Sequence, residues 1–315
     1  WINYALHKYA NAGNYNVTLK VMDDDGAVDN ITKQLQVGAP NISPTANFTY
    51  TPINPTTADT VTFTDTSTDP DGSIVDWHWN FGDGNVSKAS VALQFDGTND
   101  YVDCGNDPSL ALTNEITIEA WIKTTTADGN RFIVTKWKGF SLESYRSFAT
   151  NGRFCLYIDG ATRSLKFNTN YIDGQWHYIA ATYSSTSRTM KVYVDGVLDN
   201  SKTLTGLLDY NITTSTANLY IGKLWSYYFN GSIDDIRIYN RTLSDTEIQQ
   251  NYYGNITTNG LVSWWNFNEG QGSIAYDSIG NNDGTLSGAS WINYALHKYA
   301  NAGNYNVTLK VMDDD

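Results

Sequence analysis

At 315 residues the chain has room for two domains, each with its own core. Charged residues are 17% and aromatics 14%, with 22 Tyr and 10 Trp, the balance of a strand-and-turn protein with a neutral, hydroxyl-rich surface. A formal net charge of −13 excludes nucleic acid and anionic membrane surfaces as partners, because there is no basic excess to neutralise phosphates. That charge fits either plain solubility or carboxylate loops that gather calcium.

Residues 1–25, WINYALHKYANAGNYNVTLKVMDDD, recur letter for letter at 291–315. The offset of 290 residues (291 minus 1) is too long for a solenoid unit and predicts whole domains in series, with an artificial join as the alternative. Along the first copy, Tyr15, Val17, Leu19 and Val21 alternate with Asn16, Thr18 and Lys20, the period-two pattern of a half-buried strand. Thr60–Thr64 repeats it with Val61 and Phe63 inward. Ile116, Ile118, Ala120 and Ile122 alternate with Thr117, Glu119, Trp121 and Lys123, so a further strand is expected there. Val192 and Val194 lead into Asp195-Gly196, a hairpin turn. Strands follow at Leu219/Ile221 and Ile236/Ile238. Helical spacing is confined to Ser244–Tyr252, where Ser244 and Glu247 have capping-box spacing. No run of about 18 apolar residues occurs, so no membrane span is expected. Cys104 and Cys155 either form one bridge or sit reduced in a core.

Two stretches resemble known families. PTANFTYTPINP and VTFTDTSTDPDGSIVDWHWNFGDGN, within residues 41–87, resemble the first half of a polycystic-kidney-disease (PKD) domain, an immunoglobulin-like β-sandwich. HKYANAGNYNVTLKVMDDDGAVDNITKQLQV, residues 7–37, resembles the second half. ALQFDGTNDYVDCGNDPSL, ITIEAWIK, DGQWHYIAATYSSTSRTMKVYVDG and GSIDDIRIYNRTLSDTEI resemble a laminin-G-like, concanavalin-A-type jelly roll. Residues 260–289 usually open such a domain and here close it, so either the jelly roll is circularly permuted inside the PKD sandwich or the PKD pieces interrupt the jelly roll. The expected organisation is 1–39, second half of a PKD domain; 40–90, first half; 91–290, jelly roll; and 291–315, second half again. The second copy stops at Asp315, before the strand that Ala27–Val37 supplies in the first, so an open edge is expected within this window, to be completed by the continuing chain or by residues 1–39 of a neighbouring subunit.

Glucanases share the jelly-roll architecture, but their E-x-D-x-(x)-E triplet is missing and no G-x-S-x-G occurs, so no enzyme is expected. Three groups remain. The resemblance implies a calcium ion near Asp234 and Asp235 and the DSIGNNDG loop with Asp277, Asn282 and Asp283; Asp69, Asp71 and Asp83 are the PKD counterpart, and plain Asx-Gly turns are the alternative. Trp137, Tyr145, Trp225 and Tyr227 lie in loop-like contexts and suit stacking on a sugar ring, with core packing or subunit contact as the alternative. Asn16, Asn30, Asn41, Asn47, Asn85, Asn211, Asn230, Asn240, Asn255 and Asn306 head N-glycosylation sequons, a mild excess over chance that points to a secreted glycoprotein.

Two functional readings follow. One is a structural repeat of an extracellular filament, sheath, S-layer or stalk at the cell surface, built from copies of itself in a head-to-tail array. The other is a cell-surface adhesin whose jelly roll binds carbohydrate or another surface protein. An exposed aromatic platform beside free polar groups distinguishes the second from the first.

Overall fold

The computed structural model describes residues 5–84, 86–88, 90–125, 129–146 and 152–313. The chain divides into two compact units. One comprises Trp1–Ala46, Ser67–Trp77 and Lys310–Asp315; the other comprises Asn47–Thr66 and His78–Leu309.

The strands are β1 (Gly13–Met22), β2 (Val28–Val37), β3 (Phe48–Thr51), β4 (Val61–Asp65), β5 (Ile74–Asn80), β6 (Val86–Lys88), β7 (Ser90–Asp96), β8 (Tyr101–Asp103) and β9 (Glu115–Lys123). They continue with β10 (Gly129–Lys136), β11 (Phe140–Arg146), β12 (Arg153–Ile158), β13 (Ala161–Lys166), β14 (Trp176–Ser184), β15 (Thr189–Val194), β16 (Val197–Thr203) and β17 (Leu219–Ile221). After these come β18 (Lys223–Leu224), β19 (Tyr227–Tyr228), β20 (Asn230–Tyr239), β21 (Leu261–Trp265), β22 (Ile274–Ala275), β23 (Gly284–Ser287), β24 (Ser290–His297) and β25 (Thr308–Asp313). One helix, α1 (Asp245–Tyr252), starts at the expected Ser244 cap with both halves of its capping box formed.

In the first unit, β1 and β2 form a ten-residue antiparallel ladder. The expected alternation is present, but its apolar row is open: Val17, Leu19 and Val21 are all exposed, where half-burial was expected.

The second unit is two large sheets. One runs β13-β12-β11-β10-β17-β8-β23-β22; the other runs β16-β15-β14-β9-β20-β7-β24-β4-β3, with β21 beside β20. A single apolar core joins them, drawing Ile118, Ile179 and Ile238 from one sheet and Leu142, Phe154 and Ile221 from the other. Residues 260–289 are part of this body, since Trp265 and Ala275 enter the same core. A smaller core gathers Val61, Phe63, Trp79 and Phe81 with Ala295 and Tyr299. Strand β24 serves both. Its first half pairs with β7 and its second half with β4, so one sheet runs without a break from one core to the other.

Thr117 and Glu119 face away from the main core, as their alternation requires, yet both are fully buried. Helix α1 covers that face. Asn251 on the helix donates to both Glu119 carboxylate oxygens at 3.0 Å, and Arg237 donates to Oε2 at 3.2 Å. At the β15–β16 connection Asp195 and Gly196 both have positive φ, 50° and 77°, as a type I′ hairpin turn requires. Cys104 and Cys155 are reduced and buried.

Candidate functional site

The outward face of the eight-stranded sheet carries the polar cluster best suited to a ligand. In the β11–β12 ladder Phe140 faces Leu156, Ser141 faces Cys155, Leu142 faces Phe154 and Glu143 faces Arg153. Strand alternation sends Phe140, Leu142, Phe154 and Leu156 into the core. The intervening residues therefore share the other face. There Ser141 Oγ donates to Glu143 Oε1 at 2.7 Å, and Arg153 Nε donates to Glu143 Oε2 at 2.6 Å. Both carboxylate oxygens are held and still have acceptor capacity. Burial pushes the neighbouring Cys155 thiol far above its usual range, with the Glu143 charge adding to it, so this sulfur is not a nucleophile.

Two tryptophans stand over this floor. Trp137 lies in the turn between β10 and β11 and Trp225 in the turn between β18 and β19; their rings meet edge to face, centroids 4.4 Å apart. Each turn holds a non-glycine residue in the left-handed region, Lys138 at φ 60° and Trp225 itself at φ 54°, a conformation that persists only where the surroundings enforce it. The Ser215 hydroxyl donates to the Trp137 carbonyl and pins the first turn. Trp137 and Trp225 remain 40% and 58% exposed. Together with Ser141, Glu143, Arg153 and Tyr157 they line a cavity of about 170 Å³.

Of the four aromatics read from sequence, Trp137 and Trp225 thus come together. Tyr227 flanks them, 41% exposed and in ring contact with the pocket residue Phe132 at 6.4 Å. The Tyr145 side chain lies outside the described residues. The polar floor was missed. Its signal was present in F-S-L-E and R-F-C-L-Y, where the period of two puts Ser141, Glu143, Arg153, Cys155 and Tyr157 on the face opposite the apolar residues.

The expected calcium ligands are spread out. Asp277 Oδ1 accepts from the Trp264 and Ile279 amides, and Oδ2 from the Asn282 amide. Burial raises the Asp277 pKa, but these backbone donors, with that of Gly280, outweigh it and leave the carboxyl below its ordinary value. Asn282 donates to Ser263 and Ser109, and Asp283 accepts from the Asp277 amide. Asp283 borders a cavity of about 510 Å³ with one other carboxylate, Asp103. On β20, Asp234 accepts from the Tyr294 hydroxyl at 2.7 Å, while Asp235 pairs with Arg237 and the Trp264 indole. Burial, with the Asp235 charge beside it, pushes Asp234 well above the carboxylate range. In the PKD part, Asp71 accepts from the Ile42 amide and Asp83 pairs with His297 at 2.8 Å. Among the described residues no three His, Cys, Asp or Glu side chains converge on one point. Among the sequons, Asn16, Asn30, Asn41, Asn47, Asn211, Asn240, Asn255 and Asn306 are exposed, Asn230 is half-buried, and Asn85 lies outside the described residues.

Comparison with known proteins gives two family matches. Residues 96–249 match the family model of the concanavalin A-like lectin/glucanases superfamily, and residues 41–101 match that of the PKD domain. Pre-pro-metalloprotease PrtV of Vibrio cholerae serotype O1 is 39% identical over 83 residues, 26% of this chain and 9% of the relative's own length. Among solved structures, a putative carbohydrate binding protein from Bacteroides ovatus superposes with a TM-score of 0.52 at 14% identity, covering 84% of this chain and 73% of its own. A CBM40 of the Ruminococcus gnavus IT-sialidase, bound to α2,3-sialyllactose, gives 0.39 at 20% identity over 50% of this chain and 96% of its own. No helix among the described residues is long and apolar enough to cross a membrane. The fold is all-β but for one short helix and carries a PKD domain and a concanavalin-A-like jelly roll.

Proposed function

We propose that this chain is an extracellular glycan-binding module, and that the pocket on the outward face of the eight-stranded sheet is its binding site. One observation carries the reading: two exposed tryptophans, fixed by separate turns, converge over a carboxylate–guanidinium pair that is already locked in place. Sugars present an apolar C–H face and a ring of hydroxyls, and this site offers a surface for each. A cavity of about 170 Å³ matches a single pyranose ring rather than a long chain, so a terminal residue is the expected ligand. The floor needs little rearrangement to receive it, which lowers the ordering cost of binding. Catalysis is not part of the reading. Among the described residues lining the pocket Glu143 is the one carboxylate, whereas glycoside hydrolysis calls for a flanking pair. The putative carbohydrate binding protein from Bacteroides ovatus supports the same direction through fold alone. The adhesin reading is therefore preferred to that of a filament unit.

The experiment is a glycan array followed by titration calorimetry with the best-bound sugar. Trp225→Ala is expected to weaken binding roughly 5- to 150-fold, the loss of one stacking contact of about 1–3 kcal/mol, with the melting temperature unchanged. Glu143→Gln is expected to weaken it as well, through the hydroxyl acceptors. Retention of full affinity by the Trp137→Ala/Trp225→Ala double variant would rule the site out.

A further inference from the structure

One row of side chains crosses five strands of the eight-stranded sheet. The pairings Ser141–Thr135, Thr135–Tyr220, Tyr220–Asp103 and Asp103–Thr285 join β11, β10, β17, β8 and β23 in one register. Their strand neighbours Leu142, Val134, Ile221 and Val102 enter the main core, so the row belongs to the outward face. Ser141 and Thr135 line the tryptophan pocket. Asp103 and Thr285, at the other end, line the cavity of about 510 Å³. Four strand spacings separate β11 from β23, about 19 Å, which is more than one sugar ring covers.

Aromatic rings occupy the interval. The β18–β19 hairpin carries Trp225 in its turn, and at its base Lys223 pairs with Tyr228. Lys223 Nζ lies 3.5 Å from the Tyr101 ring centroid and 5.0 Å from that of Tyr220. Tyr101 meets Tyr220 edge to face at 5.9 Å and lies 6.5 Å from Tyr228. These contacts fix three half-buried rings around one ammonium. Beyond them, Asp103 Oδ1 accepts from Asn218 Nδ2 at 2.9 Å and from the Gly105 amide at 3.0 Å. The second cavity thus has the Tyr101 ring, a polar pair locked before any ligand arrives, and the hydroxyls of Thr285 and Ser287. That is the composition of the tryptophan pocket again, an apolar surface beside fixed hydrogen-bonding groups.

We propose that this second cavity is a further sugar subsite, and that the ligand is an oligosaccharide lying across the strands from the tryptophan pocket to Asp103 and Thr285. On the glycan-binding reading, on which this rests, the tryptophan pocket seats the terminal ring. Tyr228, Tyr220 and Tyr101 then carry the residues that follow it. The charged side chains lining the far cavity, Asp103 and Asp283, are both acidic. A neutral, hydroxyl-bearing sugar is therefore taken there, and a carboxylated or sulfated one is repelled.

Titration calorimetry tests this with the array-selected sugar, first as the free monosaccharide and then as neutral oligosaccharides of increasing length that end in it. Affinity is expected to rise with length by roughly fivefold or more, the contribution of one further ring contact, and to level off once the second cavity is filled. Tyr101→Ala is expected to remove that gain. In the unsubstituted chain, the backbone amides of residues 101–103 and 285–287 are expected to shift with the longer ligands and to stay still with the monosaccharide. A monosaccharide that binds as tightly as every longer ligand, with those amides still in both titrations, overturns the subsite and leaves the tryptophan pocket standing. A gain with length that Tyr101→Ala leaves intact overturns the subsite too. Absence of binding across the whole series overturns both.

Discussion

Arg237 and Glu119 are buried together under α1, with 1% and 0% of their side chains exposed. Burial pushes the Glu119 pKa up, and the Arg237 charge only partly restores it. Removing the guanidinium strands that carboxylate. Arg237→Met is therefore expected to cost about 3–5 kcal/mol in chemical denaturation, the penalty for breaking a buried pair from one side. His177 is a titratable counterpart. Burial disfavours its charge, but the hydrogen bond to Asp195, with the Asp195 and Asp173 charges, outweighs this and raises its pKa above 6.5. A raised pKa means the folded state binds the proton more tightly. The resulting stability is complete below the unfolded value of about 6.5 and disappears as pH rises through the folded value. The urea midpoint should fall across that window in the wild type, and the His177→Gln variant should lack this component of the fall. Such placements were only half legible. The sequence could not show that Asp195, in the β15–β16 turn, would face His177 on β14.

Element by element, period-two alternation was the reliable signal. It put Val61 and Phe63 in one core and Ile116, Ile118, Ala120 and Ile122 in the other. The capping box placed α1 for the same reason: both signals are local chemistry. What alternation could not supply was the cover on each face. It marked Glu119 as outward without foreseeing the helix above it, and Val17 and Leu19 as half-buried without a body to bury them. The double role of β24 was equally hidden, because nothing in SWINYALH says that its halves pair with different sandwiches. That strand couples the two cores, and Trp79 anchors the smaller one at 1% exposure. Trp79→Ala is expected to destabilise the smaller core by about 3–5 kcal/mol. Fluorescence-detected unfolding should then show a lower midpoint, and hydrogen exchange should rise first at β3 and β4.

At the scale of the whole molecule, two tryptophans from separate turns meet in one pocket with Ser141, Glu143 and Arg153 on the eight-stranded sheet. The sequence exposed the aromatics of the pocket because tryptophan in a turn is conspicuous. Their convergence was not legible, since Trp137 and Trp225 are brought together by neighbouring strands far apart in the chain, β10 against β17. In the Asx-rich loop read from sequence, Asp277 accepts from the Trp264, Ile279 and Asn282 amides, partners that spacing alone does not name. The measurement that tests the central claim most directly is a titration of the indole N–H resonances with the sugar selected on the array. The account predicts that Trp137 and Trp225 shift together and saturably, while the buried Trp79 and Trp265 stay still. Binding that shifts other residues and leaves these two indoles unmoved would contradict it.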